Sequence, residues 1–211
     1  MRLSERFVDN CILINSTSET KEQILNELVD TLCSAYKLEH RDEIFEAVWI
    51  REQSRSTGIG CGLAVPHAKI DYVDRMCMVA ATIEKGLDFA SFDGEPVYLL
   101  ILIVSPGNTV GPHLKALSSV SRLLADGAVR KDLIASKTPA EFLSILRAAE
   151  EICENHLARI VKNHNISVHL ACGDESRKVA VGGLGCTCYN YALVGYDNIF
   201  NGVSVSAADI V

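Results

Sequence analysis

Residues 51 to 67 read Arg-Glu-Gln-Ser-Arg-Ser-Thr-Gly-Ile-Gly-Cys-Gly-Leu-Ala-Val-Pro-His and combine a glycine-rich loop with one histidine. The three glycines tolerate backbone conformations that other residues resist, and they let main-chain N–H groups approach an anion. Residues 63 to 65 are too few for a helix and indicate a strand. Pro66 then ends the pairing of that strand, so we expect an accessible His67 at its edge. The stretch has neither G-x-G-x-x-G nor the Gly-Lys-Ser/Thr of a P-loop, so it predicts no nucleotide site.

Two helices are predicted before this loop. Thr20 and Gln23 have the spacing of a capping box, and apolar residues follow at helical period over about residues 20 to 36. A second helix begins at about Asp42 and ends before the polar stretch from Ser54, which puts Arg51 at its C-terminal end. Four of its apolar residues are predicted to face inward, the tryptophan as a core anchor: Ile44, Phe45, Val48 and Trp49.

Buried strands and a third helix are predicted after the loop. Apolar runs over residues 75 to 83 and 97 to 104 are typical of strands, and turn residues at 85 to 86 and 93 to 94 bound them. Pro112 occupies the place of a first-turn proline ahead of apolar residues at helical spacing. His113 is therefore expected in the first turn of this helix.

The C-terminal part begins as a helix and then changes character. Thr138 and Glu141, on either side of a proline, predict a helix start, and the pattern continues to about Lys162. After His164, short apolar segments alternate with glycines and predict a small β-rich extension. This C-terminal part has two alternative roles: it packs on the rest of the chain or forms a dimer contact, or it binds a metal or has redox activity. Its thiols and imidazoles are the candidate metal ligands: His156, His164, His169, Cys172, Cys186 and Cys188. Because their spacings are not paired C-x-x-C knuckles, we predict no metal site.

Composition and charge exclude several classes of function. The 211 residues are 48% hydrophobic and 22% charged, as in ordinary globular proteins. Twenty Lys and Arg against 27 Asp and Glu give a net charge of -7, so we expect no nucleic-acid partner. The longest apolar run is far shorter than the roughly 20 residues that cross a bilayer, and the first residues do not resemble a signal peptide. We expect a cytoplasmic protein without direct membrane insertion, with reduced cysteines and with Glu150 and Glu151 on a solvated face.

Two histidines and one arginine are the candidates for chemistry. An exposed neutral imidazole is a competent nucleophile, so His67 is either a nucleophile or a hydrogen-bonded loop histidine. His113, at a helix N-terminus, is either a phosphate-binding group or an ordinary first-turn residue. Arg51 offers phosphate a planar fork of donors, or caps its own helix. A phosphohistidine site is one interpretation, and spacing alone leaves the alternatives open.

Three blocks of sequence resemble a known family. They are REQSRSTGIGCGLAVPHAK, GLDFASFDGEPVYLLILIVSP and HLKALSSVSRLL, in this order. They are similar to the enzyme IIA domain of the fructose/mannitol type, including nitrogen-regulatory members, from the bacterial phosphoenolpyruvate-dependent sugar phosphotransferase system. The resemblance implies a IIA domain over residues 1 to 150, and residues 151 to 211 are then a helix continuation and a β-rich extension of unknown role. The implied α/β fold is a three-layer α/β/α sandwich, with a mixed β-sheet flanked by helices.

The resemblance also implies the residues of the site. His67, in the position of the family's Pro-His motif, is implied as the phosphorylated residue, and its donor is the phosphocarrier HPr or a paralogue. His113 and Arg51 are implied to stabilise phosphate charge. Three residues that match the family's Ser-Thr-Gly pattern are implied to assist: Ser56, Thr57 and Gly58. In-line transfer between two imidazoles depends on positioning and electrostatics, so no cofactor is expected.

Two functions are compatible with the resemblance. The protein is a phosphotransferase that passes the phosphoryl group to a IIB component for sugar uptake, or it is a nitrogen-type regulator. In the second case its phosphorylation state controls binding to a transporter, a kinase or another protein. The His-Ala-Lys at residues 67 to 69 favours the fructose-like branch, whereas a free-standing IIA of this kind is often regulatory. The C-terminal extension is expected to cover the domain or to form a homodimer contact.

Overall fold

A computed structural model describes residues 2 to 163, with side chains as far as residue 155. The predicted β-rich extension and the side chains of its candidate metal ligands lie outside the described residues. The chain divides into two compact units, Met1–Glu150 and Glu151–Val211. In chain order the elements are β1 (Ile12–Leu13), α1 (Lys21–Tyr36), α2 (Arg41–Ser54), β2 (Gly58–Gly60), β3 (Leu63–Ala64), β4 (His67–Ile70), β5 (Cys77–Leu87), β6 (Val97–Pro106), α3 (Gly111–Leu123), α4 (Gly127–Ala135) and α5 (Pro139–Asn163).

The strands form one mixed sheet around β6. The order is β1-β5-β6-β3-β2, and β4 also pairs with β6. β6 runs antiparallel to β5 and parallel to β3 and β4. Leu63 lies opposite Leu99 and His67 lies opposite Ile103, so β3 and β4 keep the same offset along β6. They are one strand path interrupted at Pro66, which has no N–H to donate but whose carbonyl accepts from Ile103 N at 3.0 Å.

Both faces of this sheet are covered. Residues 77 to 83 of β5 and 99 to 105 of β6 are buried without a break. Successive side chains of a strand point to opposite faces, so continuous burial requires cover on each face. Within the described part of the chain, α1 packs on β5 and α2 on β4, whereas α3 contacts β6 and α4 contacts β5 and β6. The predicted α/β fold, with a mixed sheet flanked by helices, is confirmed.

The helix starts predicted from capping signals are confirmed. Thr20 Oγ1 accepts from Gln23 N at 3.2 Å, and the Gln23 side chain accepts from Thr20 N, which completes the capping box of α1. α3 begins at Gly111 with a proline in its first turn. At the start of α5, Thr138 Oγ1 accepts from Glu141 N at 3.1 Å. None of the helices among residues 2 to 163 has the length and apolar character needed to cross a membrane.

The inward face of α2 differs from the prediction. Its buried residues are Ile44, Val48 and Glu52, which recur every four positions. Phe45 and Trp49 are only half-buried and stack on each other with ring centroids 6.0 Å apart. One face of a helix cannot include positions 44, 45, 48 and 49 equally, so the prediction of Trp49 as a core anchor is wrong.

Strand β5 is longer than predicted, and several short elements were not predicted. The strand passes through the supposed turn at Lys85 and continues to Leu87, with a register irregularity that begins at Thr82. Gly86 lies inside this irregularity with φ of 71°, a conformation that glycine adopts readily. The strands β1, β2 and β4 and the helix α4 were also missed. All four are short, and β1 and β4 pair with strands that are distant in sequence.

Glu150 and Glu151 do not form the solvated face that the sequence predicted. Glu150 is 7% exposed, and its carboxylate accepts hydrogen bonds from Leu3 N, from Ser4 N and, at 2.5 Å, from Ser4 Oγ. Glu151 is exposed, as predicted. Glu150 therefore fixes the N-terminal segment, a long-range contact that the local sequence does not indicate.

Candidate functional site

His67 is held by one contact at each ring nitrogen. It is the first residue of β4, so the strand path continues past Pro66, whereas the sequence predicted that pairing ends at Pro66 and leaves His67 at the strand's edge. Its Nδ1 lies 2.8 Å from the Val65 carbonyl oxygen, and its Nε2 lies 3.2 Å from Arg51 Nε. A carbonyl only accepts and a guanidinium only donates, so the partners place the proton on Nδ1 and the lone pair on Nε2. The ring is thus fixed as one tautomer.

Arg51 is fixed in the last turn of α2. Its Nε–H donates to His67, and its Nη1 donates to the carbonyl oxygen of Arg55 at 2.9 Å. A guanidinium is a rigid planar fork of donors that stays charged. Two anchored nitrogens therefore place a permanent positive charge beside Nε2 of His67.

His113 lies beside His67. The two rings are 5.5 Å apart between centroids at an interplanar angle of 61°, an edge-to-face arrangement. His113 is 3% exposed, and its Nδ1 lies 2.7 Å from Ser105 Oγ, at the end of β6. The first turn of α3 and the end of β6 thus position the second histidine.

Both imidazoles are kept neutral. Burial lowers the pKa of His67, and the charge of Arg51 lowers it further against the raising effect of the Val65 carbonyl. Burial also lowers the pKa of His113 to about 4, helped by His67 and Lys69. Removing a cationic imidazole from water is unfavourable, so neutral rings result at pH 7. A neutral His67 has the Nε2 lone pair that a nucleophile requires.

A buried carboxylate holds the loop that leads from α2 to the hairpin of β2 and β3. Glu52 is 3% exposed and accepts from Thr57 N at 3.0 Å and from Thr57 Oγ1 at 2.5 Å. Lys21 Nζ, from the first turn of α1, donates to the same carboxylate at 2.9 Å. Two helices and the loop thus meet at Glu52, one residue from Arg51.

The Ser-Thr-Gly triplet donates its hydrogen bonds within the protein. Ser56 Oγ donates to the Phe89 carbonyl at 2.8 Å, and Gly58 N donates to Ser56 Oγ at 3.2 Å. Both donors of Thr57 point to Glu52. A phosphate contact by Ser56, Thr57 or Gly58 stays a prediction, and for the donors named here it requires that one of these bonds be exchanged.

An open cleft of about 530 Å³ brings most of the candidates together. His67 and Arg51 lie in its wall, as does the triplet at residues 56 to 58. His113 joins the site through its ring contact with His67. Two large apolar side chains that line the cleft are exposed, Ile59 at 50% and Phe92 at 87%. The cleft is open, and His67 forms part of its wall.

Two residues of this site were not predicted. Glu52 lies on the inward face of α2, four positions after Val48, and a carboxylate in such a position is a signal for a buried ion pair. Ser105 follows directly on the apolar run of β6 and continues its burial. Its contact with His113 could not be read from sequence, because it depends on how the end of β6 meets the start of α3.

The fold and the cleft define an α/β domain centred on a neutral histidine in contact with an arginine. Residues 6–149 match the family described as "Phosphoenolpyruvate-dependent sugar phosphotransferase system, EIIA 2". The chain belongs to this family. Membership confirms the resemblance carried by the three sequence blocks, and with it the class of phosphotransferase.

Relatives of two kinds are found. The chain is 34% identical over 146 residues to the PTS system fructose-specific EIIABC component of Bacillus subtilis (strain 168), covering 69% of this chain and 23% of that protein. It is 32% identical over 148 residues to the nitrogen regulatory protein of Bradyrhizobium diazoefficiens, covering 69% of this chain and 95% of that protein. The crystal structure of nitrogen regulatory protein IIA-Ntr from Neisseria meningitidis is similar, with a TM-score of 0.64, 25% identity, and coverage of 68% of this chain and 98% of that one.

Proposed function

We propose that this chain is a phosphohistidine carrier, in which His67 accepts a phosphoryl group from an HPr-like protein and passes it to a IIB component. The state of His67 carries the proposal: the ring is neutral, Nδ1–H is bound by Val65 and the Nε2 lone pair lies in an open cleft. Such an imidazole is ready to attack without first losing a proton. The proposal places the reaction in the cytoplasm, where phosphoenolpyruvate is made.

The transfer is an in-line exchange between two nitrogens. Nε2 of His67 forms a bond to phosphorus while the bond from phosphorus to the donor imidazole breaks, and that electron pair returns to the donor nitrogen. The Nδ1 proton stays on the ring, where the Val65 carbonyl stabilises the positive charge that develops. Passing the group to a IIB component repeats the step with His67 as the leaving group.

Arg51 supports the phosphorylated state. Its Nε–H binds Nε2 of His67 in the free site, and once Nε2 carries phosphorus this donor turns to a phosphoryl oxygen. A hydrogen bond from a guanidinium to an anionic oxygen is about twice as strong as one between neutral groups. Arg51 therefore offsets the phosphoryl charge at the atom where it arrives.

Ile59 and Phe92 provide a surface for the partner proteins. Phe92 is exposed while its own backbone is fixed, since Phe92 N donates to the Gly58 carbonyl at 3.0 Å. Exposed aromatic side chains on a rigid loop are typical of the few residues that dominate protein interfaces. We expect the donor and the acceptor to use this surface in turn, because each must reach the same nitrogen.

The experiment is phosphorylation from phosphoenolpyruvate by enzyme I and HPr, with the acid-labile phosphate mapped by mass spectrometry. We expect phosphate on His67 in the wild type and none in His67→Ala. His40→Ala is the matched control, because His40 is half-exposed and does not line the cleft. Full phosphorylation of His67→Ala would refute the assignment of the nucleophile.

A regulatory role is the second candidate. The chain matches 95% of the length of the Bradyrhizobium nitrogen regulatory protein, but only 23% of the Bacillus protein, whose name joins A, B and C components. The two roles differ in the fate of the phosphoryl group on His67. Rapid loss of phosphate from His67 to an added fructose-type IIB component supports transport. Retention of phosphate, together with a protein partner that binds only one phosphorylation state, supports regulation.

A further inference from the structure

A buried serine contacts the second histidine of the site. Ser105 is fully buried, and its Oγ lies 2.7 Å from Nδ1 of His113. Ser105 is two residues beyond Ile103 on β6, and Ile103 lies opposite His67. Side chains two residues apart share a face of the sheet. Ser105, His113 and His67 therefore lie on one face of the sheet.

The direction of this hydrogen bond follows from counting donors and acceptors. If Nδ1–H donates to Ser105 Oγ, the serine hydrogen needs a second acceptor, and the hydroxyl makes no other hydrogen bond to a described residue. A buried hydroxyl hydrogen without an acceptor is unfavourable. If Ser105 donates to Nδ1, both groups are satisfied. The second arrangement leaves the ring proton of His113 on Nε2.

Nε2 of His113 is the ring nitrogen that the contact with Ser105 leaves available. It makes no hydrogen bond to a described residue. Among the described residues, Ser91 Oγ is the one fully buried side-chain polar atom that has no hydrogen-bond partner. Nε2 of His113 also has no such partner, so it must retain contact with solvent. It lies on the ring edge that faces away from Ser105, and the ring itself contacts His67.

We propose that Ser105 is a positioning residue that holds His113 in the tautomer with its proton on Nε2, where this N–H donates to the phosphoryl group on His67. The role at the phosphoryl group rests on the proposed function. With the other tautomer, a lone pair at Nε2 would face the phosphoryl oxygens and repel them. The burial that lowers the pKa of His113 is consistent with a neutral donor.

The tautomer can be measured without any partner protein. Long-range 1H–15N correlation spectra of the unphosphorylated wild type should show His113 Nδ1 as the unprotonated nitrogen and Nε2 as the protonated one. In Ser105→Ala we expect averaging towards the other tautomer, and in Ser105→Thr, which keeps a hydroxyl, the wild-type pattern. A wild-type spectrum with the proton on Nδ1 would overturn the proposal. Should Ser105→Ala fail to fold, Ser105→Cys has nearly the same volume and a weaker donor, and should give an intermediate pattern.

The effect on transfer is measured by single-turnover phosphorylation from phospho-HPr. We expect Ser105→Ala to slow the transfer by about tenfold, the usual size of one hydrogen bond, and Ser105→Thr to restore it. In the His113→Ala background, Ser105→Ala should have no further effect. Equal slowing in both backgrounds would show a merely structural role. If the wild type takes no phosphate on His67, the proposed function fails, whereas the tautomer is still decided by the NMR spectrum.

Discussion

The burial of His113 should make the stability of this domain depend on pH, and His113→Gln tests this. The pKa of His113 is about 4 in the folded protein, against an ordinary value of 6.5. Between these two pH values the unfolded chain binds a proton that the folded protein does not. The free energy of unfolding must therefore fall as the pH drops from about 6.5 towards 4. Glutamine keeps an acceptor for Ser105 but cannot titrate.

The size of the effect follows from the two pKa values. Proton linkage with 6.5 for the unfolded chain and 4 for the folded protein predicts a loss of about 2 kcal/mol between pH 7 and pH 5, and of about 3 kcal/mol by pH 4. His113 is only 3% exposed, so solvent screening reduces this little. A loss of 2 kcal/mol is a large part of the stability of a domain of this size.

Urea denaturation at pH 7 and pH 5 measures the loss. Protonation of carboxylates also lowers stability at pH 5, so the quantity to compare is the loss in the wild type minus the loss in His113→Gln. We expect about 2 kcal/mol for this difference. Equal losses in the wild type and in His113→Gln would refute the burial argument and the neutral histidine that depends on it.

Four further substitutions test packing and the buried carboxylates. Gly58→Ala would place a Cβ 2.6 Å from Ser91 Oγ and 2.9 Å from Ser91 Cα, so it should cost about 1–3 kcal/mol by thermal denaturation. Gly111→Ala meets no atom within 4 Å and should be neutral. Glu52→Ala leaves Lys21 Nζ and the amide of Thr57 without the carboxylate that binds them. It should therefore lower the free energy of unfolding by about 3 kcal/mol and slow phosphorylation. Glu150→Ala should cost about 1–3 kcal/mol and speed hydrogen exchange of the N-terminal amides it binds.

The helices with strong local signals could be predicted from sequence. Thr20 and Gln23 form the predicted capping box, and Pro112 lies in the first turn of α3 as expected. These signals work because cap and partner are only a few residues apart. The β4 segment has no comparable signal. It exists because His67 lies opposite Ile103, a pairing between parts of the chain that are far apart in sequence.

The prediction of the site depends on resemblance more than on the spacing of its residues. Spacing left His67 and His113 open between chemical and structural roles, and only the fold brings their rings to 5.5 Å. Glu52 was not predicted because charged residues are rarely buried, although its spacing from Ile44 and Val48 places it on the inward face of α2. Ser105 has no local signal at all, because its role depends on the tautomer of a ring on another element.

The charge of the site suits a carrier that must release what it binds. Arg51 is the only cationic side chain among the described residues with a hydrogen bond to His67. Burial keeps His113 uncharged, and both donors of Thr57, in the loop after α2, are already bound to Glu52. Arg55 also lines the cleft, so a charge on His113 would add a further cation near the phosphoryl group and would lower the free energy of the phosphorylated state. Because the same His67 must act as a leaving group in the next step, that extra stabilisation would slow release. In the proposed mechanism, a neutral His113 therefore supplies a directed hydrogen bond without a charge, which supports acceptance and still permits transfer onward.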